Sequence, residues 1–230
     1  MRILIACEYS GRVREAFRKL GHDAWSCDLL PADDGSPYHI QGDVLDILDD
    51  GWDMMIAHPP CTYLANSGVQ HMWAGRKKEN GKNEERWKLM EEGREFLLKL
   101  LNAPIPKIAV ENPLPHSYAK LPPYTQIIQP YYFGEEASKR TCLWLKNLPP
   151  LEKTNVVSPG ERYFDKNGKS NGSKWYQLPP SKDRWKYRST TFQSIADAMA
   201  QQWGELARAV GTASPTHPNK AELRLLSEEK

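Results

Sequence analysis

An α/β fold built on a mainly parallel sheet is predicted by three features of this 230-residue sequence. Short apolar runs alternate with segments of helical periodicity, the pattern of strand–helix–strand crossovers. Gly11, Asp28, Asp43, Cys61 and Glu111 all fall at or just after the carboxyl end of a predicted strand, the edge where open α/β sheets bind ligands. Length and an apolar fraction of 40%, with eight tryptophans, suit one core with a small insertion.

Taken in order, RILIACEYSG (2–11) reads as a buried strand entering a turn at Gly11. RVREAFRKLG (12–21) follows as a helix with Val13, Ala16, Phe17 and Leu20 on one face and Gly21 as C-cap. HDAWSCDLL (22–30) is a second strand ending at Asp28, and residues 31–48 are loop with a short third element before Asp43. WDMMIAHPP (52–60) is a fourth strand. A polar stretch, 62–84, precedes a helix over about 86–101, and PKIAVENP (106–113) is a fifth strand. Residues 124–151 read as two strands joined by a turn at Gly134. Residues 152–190 are rich in Gly, Ser, Pro, Lys and Asn, with little periodicity. An amphipathic helix returns at 191–210, with Ile195, Met199, Trp203 and Leu206 at helical spacing; the polar tail beyond Thr212 is expected to fray.

Composition excludes several classes. No run of eighteen apolar residues and no signal peptide appears, so a soluble, cytoplasmic protein with no membrane contact is expected. Cys7, Cys27, Cys61 and Cys142 are widely spaced without C-x-x-C, which argues against a disulfide framework and a structural zinc. His58 and His71 near Cys61 match no usual zinc spacing, so no metal is expected. The net charge of +2 is unevenly spread: residues 139–188 hold twelve Lys/Arg against four Asp/Glu, an excess of eight. Threaded with Trp175, Tyr176, Trp185 and Tyr187, that block suits nucleic acid.

The strand ends carry the chemistry. Gly11 allows close backbone approach at the first strand–helix turn, Asp28 suits ribose hydroxyls, and Asp43 suits an exocyclic amine; together they describe a nucleoside cofactor. There is no G-x-G-x-x-G and no Walker motif, which disfavours a dinucleotide or a Walker-type nucleotide. In HPPCTYLANSG (58–68), two prolines stop the ladder and display Cys61 at the sheet edge. A thiolate there, with the Glu111 carboxyl on the neighbouring strand, suits conjugate addition to a pyrimidine: sulfur attacks C6 and C5 becomes nucleophilic.

These residues resemble the C5-cytosine DNA methyltransferase family. HPPCTYLANSG is similar to its motif IV, with Pro-Cys and a glycine seven residues on, and VENP (110–113) to motif VI. CEYSG, CDLL and GDVLDI occupy the places of motifs I, II and III, and TTFQSIADAMAQQW resembles motif X. The resemblance covers about 1–145 and 188–206. It implies a Rossmann-like class I methyltransferase fold with a reduced, irregular recognition segment, and a small phage- or prophage-like member of restriction-modification type. The expected organisation is a catalytic domain over 1–145, a basic recognition insertion over 146–188, a completing helix over 189–212 and a tail over 213–230. S-adenosylmethionine is the implied methyl donor, held by Glu8, Tyr9, Ser10, Gly11, Asp28, Leu29, Asp43, Val44 and Pro59. Cys61 is the implied nucleophile, Glu111 the contact to cytosine N3, and Lys139 or Arg140 an assisting cation. The implied partner is double-stranded DNA with the target cytosine flipped out, and residues 62–84 form a mobile loop that closes on it.

Two departures open alternatives. Motif I lacks its usual glycine pair, and the Gln-x-Arg-x-Arg of motif VIII falls on Ala137, Lys139 and Thr141. A free nucleotide, single-stranded DNA or RNA is therefore a rival substrate, and an inactive nucleic-acid-binding methyltransferase fold a rival role. An amino-methyltransferase is disfavoured, because the slots of its Pro-Pro tetrad hold His58 and Cys61.

Overall fold

A computed structural model describes residues 1–164, 166–168, 170–173, 181–182 and 184–208. Trp175, Tyr176 and the 213–230 tail lie outside the described residues. Seven strands form one sheet: β1 (Arg2–Ala6), β2 (Asp23–Asp28), β3 (His39–Gln41), β4 (Met54–Ala57), β5 (Lys107–Pro113), β6 (Gln126–Ile128) and β7 (Thr141–Lys146). Their order is β3-β2-β1-β4-β5-β7-β6. The first five are parallel, and β7 runs antiparallel to both β5 and β6. This is the Rossmann-like class I architecture that the resemblance implies. The chain winds outward from β1 to β3, then crosses to β4 on the other side of β1. Strand order thus reverses between β1 and β4, and a crevice opens beyond their carboxyl ends.

Alternating strand residues feed two cores. Ile3 and Ile5 point to the face covered by helices α1 (Arg12–Lys19) and α4 (Gln193–Arg208), where Val13, Phe17, Met199 and Trp203 are buried. Leu4 and Ala6 point to the other face, where Met90, Leu97 and Leu100 of helix α2 (Glu84–Leu101) pack. Both faces are covered, which is why the central strands are apolar throughout rather than alternating.

The structure refines several boundaries. Helix α1 has Leu20 as its C-cap, with Gly21 following at φ 81°. Helix α2 begins at Glu84, two residues earlier than expected, because the Asn83 side chain accepts from Arg86 N (3.2 Å) and starts the first turn. Residues 66–80 form three short 3-10 turns. They are tied to α2 by Arg86 donating to Thr62 O (2.8 Å) and Trp87 Nε1 donating to Met72 O (2.9 Å). Trp73, Trp87 and Tyr118 meet edge to face, so these tryptophans are packing residues. Within 152–190 lie a hairpin, β8 (Arg162–Phe164) with β9 (Ser170–Ser173), and helix α3 (Arg184–Ser189). Among the described residues, no helix is long and apolar enough to cross a membrane.

Candidate active site

The crevice at the β1/β4 reversal holds a cavity of about 260 Å³. Cys7, Glu8, Tyr9 and Ser10 line it after β1, Asp28 and Leu30 after β2, His58 and Pro60 after β4, and Trp185 with residues 189–191 from the far side. Glu8 is buried and bound to the start of α1: it accepts from Val13 N (2.7 Å) and Arg14 N (3.1 Å). A carboxylate there satisfies amides that no residue of the helix can reach and complements the helix dipole. Tyr9 shares a hydrogen bond of 3.1 Å with Ser189 Oγ, and its ring lies 5.7 Å from that of Trp185. Asp28 turns one oxygen to Leu30 N (3.0 Å).

The remaining cofactor candidates stand elsewhere. Gly11 is the N-cap of α1 at φ 71°; an added Cβ would collide with the Arg14 guanidinium and the Asp34 carboxylate. Leu29 is 72% exposed. Asp43 is exposed and accepts from Leu45 N (3.0 Å), capping a 3-10 turn. Val44 is in the core, and Pro59 is buried beside the cavity-lining Pro60.

The second half of the site gathers around Cys61. His58 N donates to Ala6 O (2.9 Å), which ties the chain leaving β4 to the end of β1. Cys61 O then accepts from Leu64 N and Ala65 N, turning the backbone away and leaving Cys61 half-buried at the edge. Glu111 sits on β5, paired in register with Leu143 of β7. Because β7 is antiparallel, the residues that precede it reach the same sheet edge. Lys139 is buried there, and its Nζ donates to Arg188 O (3.1 Å), whereas Arg140 is exposed.

Charge at the site is finely opposed. Burial and the Glu111 charge push the Cys61 thiol up, while Lys139, a backbone hydrogen bond and Arg188 pull it down; the net shift is upward. Burial would raise the Glu111 carboxyl, but His58 and Lys139 outweigh it and hold the group below its usual range. Of the other cysteines, Cys27 and Cys142 are packing residues and Cys7 lines the cavity. Burial, aided by nearby acids, lifts Cys27 to about 12 and Cys7 further; Cys142 rises to about 11 despite Arg140.

Cys61, Glu111 and Lys139 therefore converge, beside a cavity walled by Glu8, Tyr9, Ser10 and Asp28. His58 and Arg188 join them as residues the sequence reading did not assign. For His58 a signal existed, since it shares the strand-end tetrapeptide with Cys61. For Arg188 the signal was its place at the end of the basic block 139–188, which did not point to Cys61 because α3 has no apolar period.

Among solved structures, the chain is similar to a protein described as a DNA modification methyltransferase encoded within an Escherichia coli prophage, at 13% identity and TM-score 0.43 over 69% of this chain and 52% of that one. It is also similar to an Entamoeba histolytica methyltransferase, at 15% identity and TM-score 0.42 over 68% and 57%. The chain thus spans little more than half the length of either. No family model matches the chain, and no curated protein matches it.

Proposed function

We propose that the protein transfers a methyl group from S-adenosylmethionine to C5 of cytosine in DNA. The observation that carries this reading is the meeting of Cys61, Glu111 and Lys139 at the carboxyl edge, next to the cavity behind residues 7–10. The cavity chemistry fits a nucleoside donor. Asp28 presents a carboxylate for ribose hydroxyls, and the Trp185 ring is a wall for the flat base. Glu8 already occupies the α1 amides that would otherwise take a phosphate, in keeping with an adenosine compound free of phosphate. When bound, the donor supplies an electrophilic methyl group.

The protein's own residues then act in sequence. Cys61 Sγ adds to C6, which turns C5 into the nucleophile. Glu111 holds the N3 edge, and Lys139 supports the thiolate. After methylation, loss of the C5 proton and elimination of Sγ restore the ring. The basic block over 139–188 supplies charge for the phosphate backbone.

A second reading keeps the chemistry and changes the substrate to a single strand. It is favoured by exposed Phe164 and Tyr187 in the basic block that also holds Arg162, Lys182 and Lys186, a composition that suits stacking on unpaired bases. The test is incubation with tritiated S-adenosylmethionine and oligonucleotides containing 5-fluorocytosine, in duplex, single-stranded and nucleotide form. Fluorine blocks loss of the C5 substituent and traps the covalent adduct. Trapping is expected with the native protein and absent with Cys61→Ser. Absence of any adduct with cofactor bound would leave only a binding role.

A further inference from the structure

Resting on the Cys61 reading, we propose that His58 is the proton donor to Glu111, the pair forming a relay that protonates N3 of the pyrimidine and recovers the proton on release. His58 Nδ1 lies 3.6 Å from Glu111 Oε2, with the two side chains 10% and 14% exposed. Both ring nitrogens of His58 are buried; Nδ1 faces Glu111, and Nε2 has no hydrogen-bond partner among the described residues. Buried polar atoms without partners are uncommon and ask for an occupant or a function. His58 lines the cavity, three residues before the nucleophile, with its backbone fixed to Ala6.

The need for a relay follows from the charge of Glu111. N3 of neutral cytosine presents a lone pair, so a carboxylate facing it repels and a carboxylic acid donates. The surroundings hold Glu111 below its ordinary value, so near neutral pH it lacks the required proton. Other groups nearby are poor sources. Lys139 Nζ is bonded to Arg188 O, Glu8 is bonded to the α1 amides, and Cys61 must lose its own proton to attack. Asp28 and the raised Cys7 thiol face the cavity, and Arg188 acts on Cys61. His58 is the side chain within reach of Glu111 whose ring nitrogens can both give and take a proton.

The step balances. Protonated His58 passes its proton to Glu111 Oε2 as the gap of 3.6 Å closes to a hydrogen bond on base binding. Glu111 passes a proton to N3 as Sγ bonds to C6 and the C5=C6 electrons shift toward N3. On elimination the C6–S bond breaks, and N3 returns its proton to Glu111 and thence to His58. The C5 proton leaves to solvent, and the relay ends as it began.

The test is the pH profile of 5-fluorocytosine trapping in the native protein, His58→Gln and Glu111→Gln. The native profile is expected to be bell-shaped, rising as Cys61 ionises and falling as the pair loses its shared proton. His58→Gln keeps a hydrogen-bonding side chain but carries no proton to give. Its descending limb should move to lower pH, with trapping at about pH 8 reduced on the order of 10²-fold. The ascending limb should stay in place. A uniform loss with both limbs unmoved would mean a positioning role and overturn the relay, as would an unchanged profile. A second readout needs no turnover: infrared spectra of Cys61→Ser bound to the oligonucleotide should show a protonated carboxyl that disappears with Glu111→Gln and with His58→Gln. Its absence from Cys61→Ser overturns the relay. A native protein inert on every substrate overturns the Cys61 reading and the relay with it, whereas an active one with unaltered His58→Gln overturns the relay alone.

Discussion

For the Cys61 side chain, the decisive quantity is how readily its sulfur gives up a proton. Burial and Glu111 oppose ionisation, and Lys139 and Arg188 favour it. Because the net shift is upward, the thiol is protonated at neutral pH and its reactivity should rise steeply on the alkaline side. Lys139→Met removes one of the two cations. Alkylation of Cys61 by iodoacetamide at about pH 8 should slow roughly tenfold, the effect of one further unit in pKa. An unchanged rate would remove Lys139 from the site. Glu8 is a different case, since its hydrogen bonds are structural. Glu8→Ala leaves Val13 N and Arg14 N unsatisfied and should lower stability by about 1–2 kcal/mol, read as a fall in urea midpoint with unchanged slope.

Among the elements, α3 is the one whose existence rests on its surroundings. It spans six residues, and none of those whose burial is described is buried. Its ties are polar: Lys186 to Asp33 (3.0 Å), Ser189 to Tyr9, Lys139 to the carbonyl of Arg188, and just beyond it Arg12 to Thr191 O (3.1 Å). Exposed ion pairs such as Lys186–Asp33 contribute about 1 kcal/mol or less. Helix α3 should therefore open more readily than α2, whose Leu97 and Leu100 are fully buried. Hydrogen exchange should show the α3 amides slowed by S-adenosylhomocysteine and those at the carboxyl half of α2 unchanged; equal response would detach α3 from the cavity. The same contrast explains what the sequence made legible. Helices α1, α2 and α4 bury an apolar stripe and announce it by period. Helix α3 and the β8–β9 hairpin bury no such stripe, so propensity alone could not find them.

Over the whole molecule, the sheet edge was legible because strand ends in a parallel sheet share one side, and apolar runs mark where strands end. The strand order follows from chain direction and short connections. What the sequence could not decide was which of two adjacent cations turns inward before β7, since that depends on the pairing of β7 with β5. The structure turns Lys139 in and Arg140 out. Helix α4 closes the fold over α1: Trp203 is fully buried, and its indole donates to Pro149 O (3.0 Å). Trp203→Ala should lower stability by about 3–5 kcal/mol, measured by urea or thermal unfolding. The proposed 5-fluorocytosine trapping, per folded molecule, should be little changed, because Trp203 packs on the α1 side of the sheet and does not line the cavity.

For the proposed adenosine donor, the seal that Glu8 places on the first helix has a consequence for selectivity. ATP, ADP and the nicotinamide dinucleotides share the adenosine moiety, and would compete for any pocket that recognised only that part. Here the Glu8 carboxyl occupies the amides that their phosphates would seek, so discrimination would come from a side chain already bonded to its own backbone. Millimolar ATP should leave S-adenosylhomocysteine binding unaffected in the native protein and compete with it once Glu8 is replaced by alanine.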